Sequence, residues 1–272
     1  MQYGLNQCGF PSENIEQTCA IVADAGYDGI EPNVEKDGPL TTDSGRRELR
    51  ETVERFDLAV PALSTISHWE YPLSSGNDEL RETGLRIGRD MIDAAVALDA
   101  SAVLIVPAAI DAGTRYEEAY RRAVESVREL ARYADGRGVT VAIENVQNNF
   151  LPSPEEFLAF LEDVDQAGPV EAYFDIGNAF RSGLPSRWLR TLDERIAKLH
   201  VKDWLRDAHR PTYPPQGDVD WTHVVDAFSA VDYDGWITAE VPPYASFGER
   251  MPPQVLENMR FLFEEAAGGE AR

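Results

Sequence analysis

Eight short apolar runs punctuate the chain, near residues 2–7, 29–34, 59–67, 102–109, 139–145, 170–176, 196–202 and 236–241. Each has the length of a strand, and the stretches between them leave room for a helix with a loop on either side. That rhythm suits βα units, whose parallel strands need long crossovers, better than hairpins. The intervening segments carry the helical period. Tyr116, Ala119, Tyr120, Ala123, Val127, Leu130 and Ala131 recur at i, i+3, i+4 and i+7 spacing, while Arg121, Arg122, Glu125, Arg128 and Glu129 fill the other side. Such a helix lies outside a barrel with its apolar stripe inward. Gly136 and Gly138 give it a stop. Ser153 and Pro154 read as N-cap and first turn of the next helix, with Glu155 and Glu156 at its positive end. Asp220 reads as the cap of the seventh helix. The expected architecture is α/β, a single (β/α)8 barrel domain over residues 1–272 with a frayed tail at 267–272. A doubly wound open sheet is the structural rival.

Four consecutive runs end in a residue that can bind a metal: VTVAIE at Glu144, EAYFD at Asp175, IAKLH at His200 and WITAE at Glu240. They lie 31, 25 and 40 positions apart, each gap read as one helix and two loops. In a parallel barrel the C-terminal ends of all strands converge on one mouth, where functional residues collect. Singly, each of the four has an ordinary explanation as a rim charge, a cap or a packed histidine. Their equivalence on four successive strand ends favours closure of the barrel and a shared metal site. Three carboxylates and one imidazole form a mostly hard donor set. It suits one divalent ion, Mn²⁺ or Mg²⁺ first and Co²⁺ or Zn²⁺ after them, with open positions for two substrate oxygens. No thiolates crowd the set, which argues against a structural zinc.

Beyond His200, the two-residue strand period puts Lys202 on the same face, toward the mouth. Arg206, His209 and Arg210 follow. Barrels often hold phosphate near the loops after strands seven and eight, so this cluster could anchor a sugar phosphate. Equally, it could neutralise Asp203, Asp207 and the carboxylates of the site. His68, closing the run ALSTISH, and Trp69 could bind sugar hydroxyls and stack on a carbon skeleton, or simply pack.

Charge changes the picture of the surface. The 272 residues carry 48 acidic and 25 basic groups, a net charge of -23. Lys36, Lys198 and Lys202 are the only lysines, so 22 of the 25 basic residues are Arg. Abundant Asp and Glu with scarce Lys reads as adaptation to a salt-rich cytoplasm, where the Debye length shrinks to about 3 Å at 1 M. A merely acidic surface would not account for the loss of Lys. This charge argues against a broad nucleic-acid-binding face. No stretch approaches the roughly 20 apolar residues of a membrane span. The N-terminus lacks a basic start and an apolar core, so the expected location is the cytoplasm. Two cysteines, Cys8 and Cys19, fit a reduced compartment, with Cys8 read as a buried, inert thiol at the end of the first strand.

The segments AGYDGIE (25–31), AIENV (142–146), FDIGNAF (174–180), KLHVKD (198–203), QGDVDW (216–221) and ITAEV (237–241) carry a resemblance to a known family. The chain resembles the xylose-isomerase-like barrel superfamily, in its sugar and sugar-phosphate isomerase/epimerase branch. The resemblance implies that Glu144, Asp175, His200 and Glu240 bind the metal, that Glu144 and Glu240 also transfer protons, and that Arg206 contacts substrate oxygens. The chemistry agrees. Epimerising or isomerising a ketose removes a proton beside a carbonyl and returns one, through an enediolate that a metal stabilises. Carboxylates on opposite faces can take the proton on one side and return it on the other, each step worth about 10²–10⁴-fold.

His68, Trp69, Asn178, Lys202 and Arg206 are the candidate substrate contacts. Two positions depart from the free-ketohexose epimerases: Asn178 stands where they carry a His, and Phe150 where they carry an acid. The DIGN form is instead similar to the branch containing pentulose-phosphate 3-epimerases. An inosose-type dehydratase using the same metal and proton abstraction is the alternative. An abasic-site endonuclease would need more histidines than His68, His200, His209 and His223, and a non-catalytic sugar-binding module would not need two proton-transfer Glu residues. The expected partner is a small sugar or sugar phosphate, and a homo-oligomer is a family expectation.

Overall fold

Every residue of Ala102–Ile105 is apolar and buried, as a strand covered on both faces requires. In the computed structural model, which describes residues 1–267, this strand (β4) belongs to an eight-stranded parallel sheet. Its companions are β1 (Gln2–Asn6), β2 (Gly29–Glu31), β3 (Ala62–Leu63), β5 (Thr140–Glu144), β6 (Val170–Asp175), β7 (Ile196–Val201) and β10 (Trp236–Ala239). A separate antiparallel pair, β8 (Asp203–Leu205) and β9 (Arg210–Thr212), follows β7. The sheet order β2-β1-β10-β7-β6-β5-β4-β3 is the chain order wrapped round once. Its end strands are tied by parallel bridges from Gly29 to Ala59 and from Asn33 to Ser64. The fold is a (β/α)8 barrel. The predicted tail lies outside the described residues from 268 onward.

Around the strands lie α1 (Ile15–Ala25), α2 (Asp43–Arg55), α3 (Asp78–Ala97), α4 (Tyr116–Ala134), α5 (Pro154–Val164), α6 (Ile176–Ser182), α7 (Pro185–Leu192), α8 (Trp221–Ala230) and α9 (Met251–Arg260). The chain divides into two compact units. One comprises Met1–Ile30, Thr52–Ala59 and the chain from Phe174 on; it ladders β1 with β10 and β10 with β7. The other comprises Glu31–Glu51 and Val60–Tyr173, and ladders β3, β4, β5 and the start of β6. Among the described residues no helix is long and apolar enough to cross a membrane.

Local chemistry explains the boundaries. Gly136 and Gly138 sit at φ +71 and +74, in the left-handed region that stops α4. Ser153 Oγ accepts from the Glu156 N–H at 3.3 Å ahead of Pro154 in α5, and Asp220 accepts from the His223 N–H at 3.2 Å to cap α8. Within α4, Ser126 joins the buried face because its hydroxyl donates to the Leu73 carbonyl at 2.9 Å.

Four expectations are corrected. The third strand, read over 59–67, is only Ala62–Leu63. Beyond it the hydroxyls of Ser64 and Thr65 bond Asn33 Oδ1 at 2.6 Å and the Val34 carbonyl at 2.7 Å, taking over from a regular ladder. The gap between Asp175 and His200 holds two helices, because Pro185, with no N–H to give, ends the possibility of one and begins α7. The gap before Glu240 holds the β8–β9 hairpin as well as a helix. Cys8 is exposed: a 3-10 turn, Gln7–Gly9, carries it out of the strand, whereas Cys19 is buried and its thiol is pushed up to about 11 by that burial.

Candidate metal centre

Parallel strands bring their C-terminal residues to one end, and the register decides which of them face inward. Glu144 is the last residue of β5 and stands beside Tyr173, two residues before Asp175 on the same face of β6. His200 stands beside Thr238 of β10, and Glu240 follows two residues later on that face. One ligand atom from each of Glu144, Asp175, His200 and Glu240 lies within 4.8 Å of all the others. Asp175 and His200 are wholly buried, Glu144 is 6% exposed, and the Glu240 side chain keeps 25% of its surface. Asp175 doubles as the N-cap of α6: its Oδ1 accepts from the Asn178 N–H at 2.6 Å, which fixes the direction of its carboxylate.

Lys202 completes the constellation. Its Nζ lies 2.7 Å from Asp175 Oδ2 and also contacts Glu240 Oε2. His200 Nδ1 is 3.9 Å from that same Glu240 oxygen. Burial raises the Asp175 carboxyl, with Lys202 opposing and Glu240 adding repulsion. Burial also pushes Glu240 upward, but Lys202 and His200 outweigh it and hold the group down. The more exposed member of the pair therefore stays ionised more readily.

Donor chemistry and charge both fit a divalent ion. Three carboxylates gather in a largely buried place, where charge is costly unless a cation offsets it. Three carboxylates and an imidazole are ligands that a hard or borderline cation accepts. The ammonium itself shows that a positive charge is accommodated between Asp175 and Glu240. The cluster could bind a divalent metal.

The remaining predicted residues fall in different settings. Asn178 is buried in α6, tied through its backbone to Asp175. Arg206 is exposed, its guanidinium 4.4 Å over the ring of Phe180 in the same helix. Trp69 is 47% exposed in the 3-10 turn Ser67–Trp69, while His68 beside it is wholly buried and its Nε2 donates to the Gly84 carbonyl of α3 at 3.2 Å. That bond matches the packing reading of His68. Asp203, read as an acid for the basic cluster to neutralise, instead accepts four N–H groups.

One buried pair was not foreseen. The Tyr173 hydroxyl donates to Glu31 Oε2, and both residues are wholly buried. Glu31 ends β2 as Glu144 ends β5, so the end-of-strand rule that found the four ligands would have flagged it too.

The profile of the family described as xylose isomerase-like TIM barrel matches residues 19–265. A protein of Methanocaldococcus jannaschii is 25% identical over 156 residues, which span 56% of this chain and 59% of that relative. Fructoselysine 3-epimerase of Shigella flexneri is 23% identical over 290 aligned positions, covering 97% of this chain and 99% of the relative. Among solved structures, D-allulose 3-epimerase from Methylomonas sp. matches with a TM-score of 0.82 over 97% of this chain and 98% of that one, at 19% identity.

Proposed function

This chain belongs to the xylose isomerase-like TIM barrel family, and from that membership and its four-residue cluster we propose a metal-dependent isomerase or epimerase of a small ketose or ketose phosphate. One observation carries the reading: Glu144, Asp175, His200 and Glu240 present ligand atoms within 4.8 Å of one another at the C-terminal ends of barrel strands. The fructoselysine and D-allulose relatives, both 3-epimerases by name, support an epimerase first. One barrel domain would supply the whole site.

Glu144, Asp175, His200 and Glu240 would hold the ion, Mn²⁺ by the hardness of the set. When bound, it would draw negative charge toward the carbonyl oxygen of the ketose and so acidify the neighbouring C–H. Glu144 and Glu240 form the acid/base pair: one takes the proton from the carbon beside the carbonyl, the other returns a proton to the opposite face and inverts the centre. Asp175 and His200 perform no proton transfer in this scheme. Arg206, Asn178 and Trp69 are the proposed substrate contacts, with His68 fixing the turn that carries Trp69. Arg206, stacked on Phe180 two residues beyond Asn178, is the group best placed for a substrate phosphate. The scarcity of Lys and the net charge of -23 support a salt-rich working medium.

The test is incubation of Mn²⁺-loaded protein with ketoses and ketose phosphates in D₂O at high salt. Deuterium at C3 would indicate epimerisation, and deuterium at C1 or C2 isomerisation. Loss of water from the sugar would replace the proposal with a dehydratase. No exchange with any member of either substrate series would overturn it.

A further inference from the structure

Lys202 lies one residue beyond β7, and its side chain is 10% exposed. Its ammonium is shared by Oδ2 of Asp175, at 2.7 Å, and Oε2 of Glu240. These carboxylates are two of the four groups assigned above to the metal. An ion ligated by both oxygens at about 2.1 Å would lie almost on top of Nζ. The two cations cannot share that place, because their repulsion in a buried setting far exceeds thermal energy.

The surroundings are shaped for the lysine stem. A Cβ on Gly177 of α6 would stand 2.5 Å from Lys202 Cγ and 3.0 Å from its carbonyl oxygen, so only glycine leaves the stem its path to Asp175. The choice of side chain is equally specific. Of three lysines in the chain, two (Lys198 and Lys202) are buried, while arginine supplies almost all other positive charge. A compact ammonium on a flexible stem can enter a place made for a single ion and leave it again, which a planar five-donor guanidinium cannot.

We propose that Lys202 is a built-in counter-cation that competes with the divalent metal for Asp175 and Glu240, and that metal loading displaces its ammonium. This rests on the metal-centre reading. Without metal, the ammonium offsets the mutual repulsion of the carboxylates and keeps the barrel mouth folded. With metal, the same side chain is released from both carboxylates. Lys202 thus sets how tightly the metal is held.

The decisive experiment compares wild type with Lys202→Met by calorimetric titration with Mn²⁺ and by melting in chelator and in Mn²⁺. The substitution should tighten the Kd for Mn²⁺ by about tenfold or more. It should also lower the Tm in chelator and enlarge the rise in Tm that Mn²⁺ produces. Equal or weaker Mn²⁺ binding by the variant would overturn the proposal. Arg181→Gln, which removes a positive charge of α6 stacked 4.4 Å over Trp204, is the control. The same tightening there would reduce the effect to general charge and sink the competition.

A second arm needs no variant. Acylation of amines in the wild type, mapped by mass spectrometry, should increase at Lys202 when Mn²⁺ is added and stay constant at exposed Lys36. Unchanged labelling of Lys202 in protein shown to bind Mn²⁺ would refute displacement even if the Met variant did not fold. Wild type that binds no divalent metal at all would instead bring down the metal-centre reading and this proposal with it.

Discussion

The indole Nε1 of Trp221 donates to Oδ2 of Asp203 at 2.7 Å, joining the first turn of α8 to the root of the β8–β9 hairpin. The Gly217 N–H reaches the same oxygen at 2.9 Å, and Oδ1 takes the N–H groups of Trp204 at 2.7 Å and Val219 at 3.1 Å. A wholly buried carboxylate is thus satisfied by neutral donors, and it holds the segment that follows Lys202 and Arg206. Asp203→Asn turns one acceptor into an NH₂ that confronts two buried N–H groups. At about 1–3 kcal/mol for each group left unsatisfied, the variant should lose about 2–6 kcal/mol in urea unfolding. Gly217→Ala should act in the same direction, since its Cβ would stand 2.3 Å from Asp203 Oδ1. A wild-type midpoint for Asp203→Asn would show that this hub does not hold the segment.

Glu144→Gln and Glu240→Gln each keep a side chain of the same shape but remove its ability to take a proton. Deuterium exchange into substrate should fall about 10²–10⁴-fold for each. Metal content measured on the same samples separates loss of the acid/base group from loss of the ion. Either variant retaining full exchange, with metal bound, would remove that residue from the pair.

The gathering of Glu144, Asp175, His200 and Glu240 was legible because parallel strands leave no choice about where their ends go. Eight strands with helices between them were legible for the same reason of periodicity. What Lys202 reaches was not: the strand period turned it toward the mouth, but a four-carbon stem samples several partners, and the space left by Gly177 is where the stem passes to reach Asp175 and Glu240. The Asp203 hub depends on backbone N–H groups up to 16 residues further on, in a loop without period. The two helices after β6 were signalled by Pro185, which is a start signal as well as a break. The β8–β9 hairpin was hidden in a charged stretch, DWLRDAHRPT, that alternates too weakly to read as paired strands.

His68 should give the fold a pH dependence on the acid side. Its Nε2 donates to Gly84, its Nδ1 is buried with no hydrogen-bond partner, and burial depresses the imidazole from 6.5 to about 4, against a small opposing effect of the Gly84 bond. Between those values the unfolded chain takes up a proton that the folded one refuses, so stability is lost as pH falls from about 6.5 toward 4. At 1.36 kcal/mol per pKa unit, the loss approaches about 3 kcal/mol by pH 4. His68→Gln cannot titrate, so its stability deficit against wild type should shrink by about 2 kcal/mol between pH 7 and pH 4.5 in urea unfolding at fixed salt. Parallel curves for the two proteins would show that His68 is not held neutral.

Salt should stabilise this protein, although it weakens the ion pairs on its surface. Arg55 with Glu16 at 2.9 Å, Arg121 with Glu125 at 2.9 Å and Arg89 with Glu129 at 2.6 Å are such pairs, and each exposed pair is worth only about 0–1 kcal/mol before screening. Against them stands an excess of 23 acidic groups, 48 less 25, while among the described residues Lys36 is the one exposed lysine, itself engaged with Asp37 at 2.7 Å. Self-repulsion of that excess acts over the whole surface at low ionic strength, and about 1 M salt cuts its range to about 3 Å. The Tm should therefore rise from dilute buffer to molar KCl. KCl is the right salt, because sulfate stabilises most proteins by exclusion and would not discriminate. A Tm that stays flat or falls over that range would mean that the ion pairs outweigh the net charge, and the salt-rich setting would have to be abandoned.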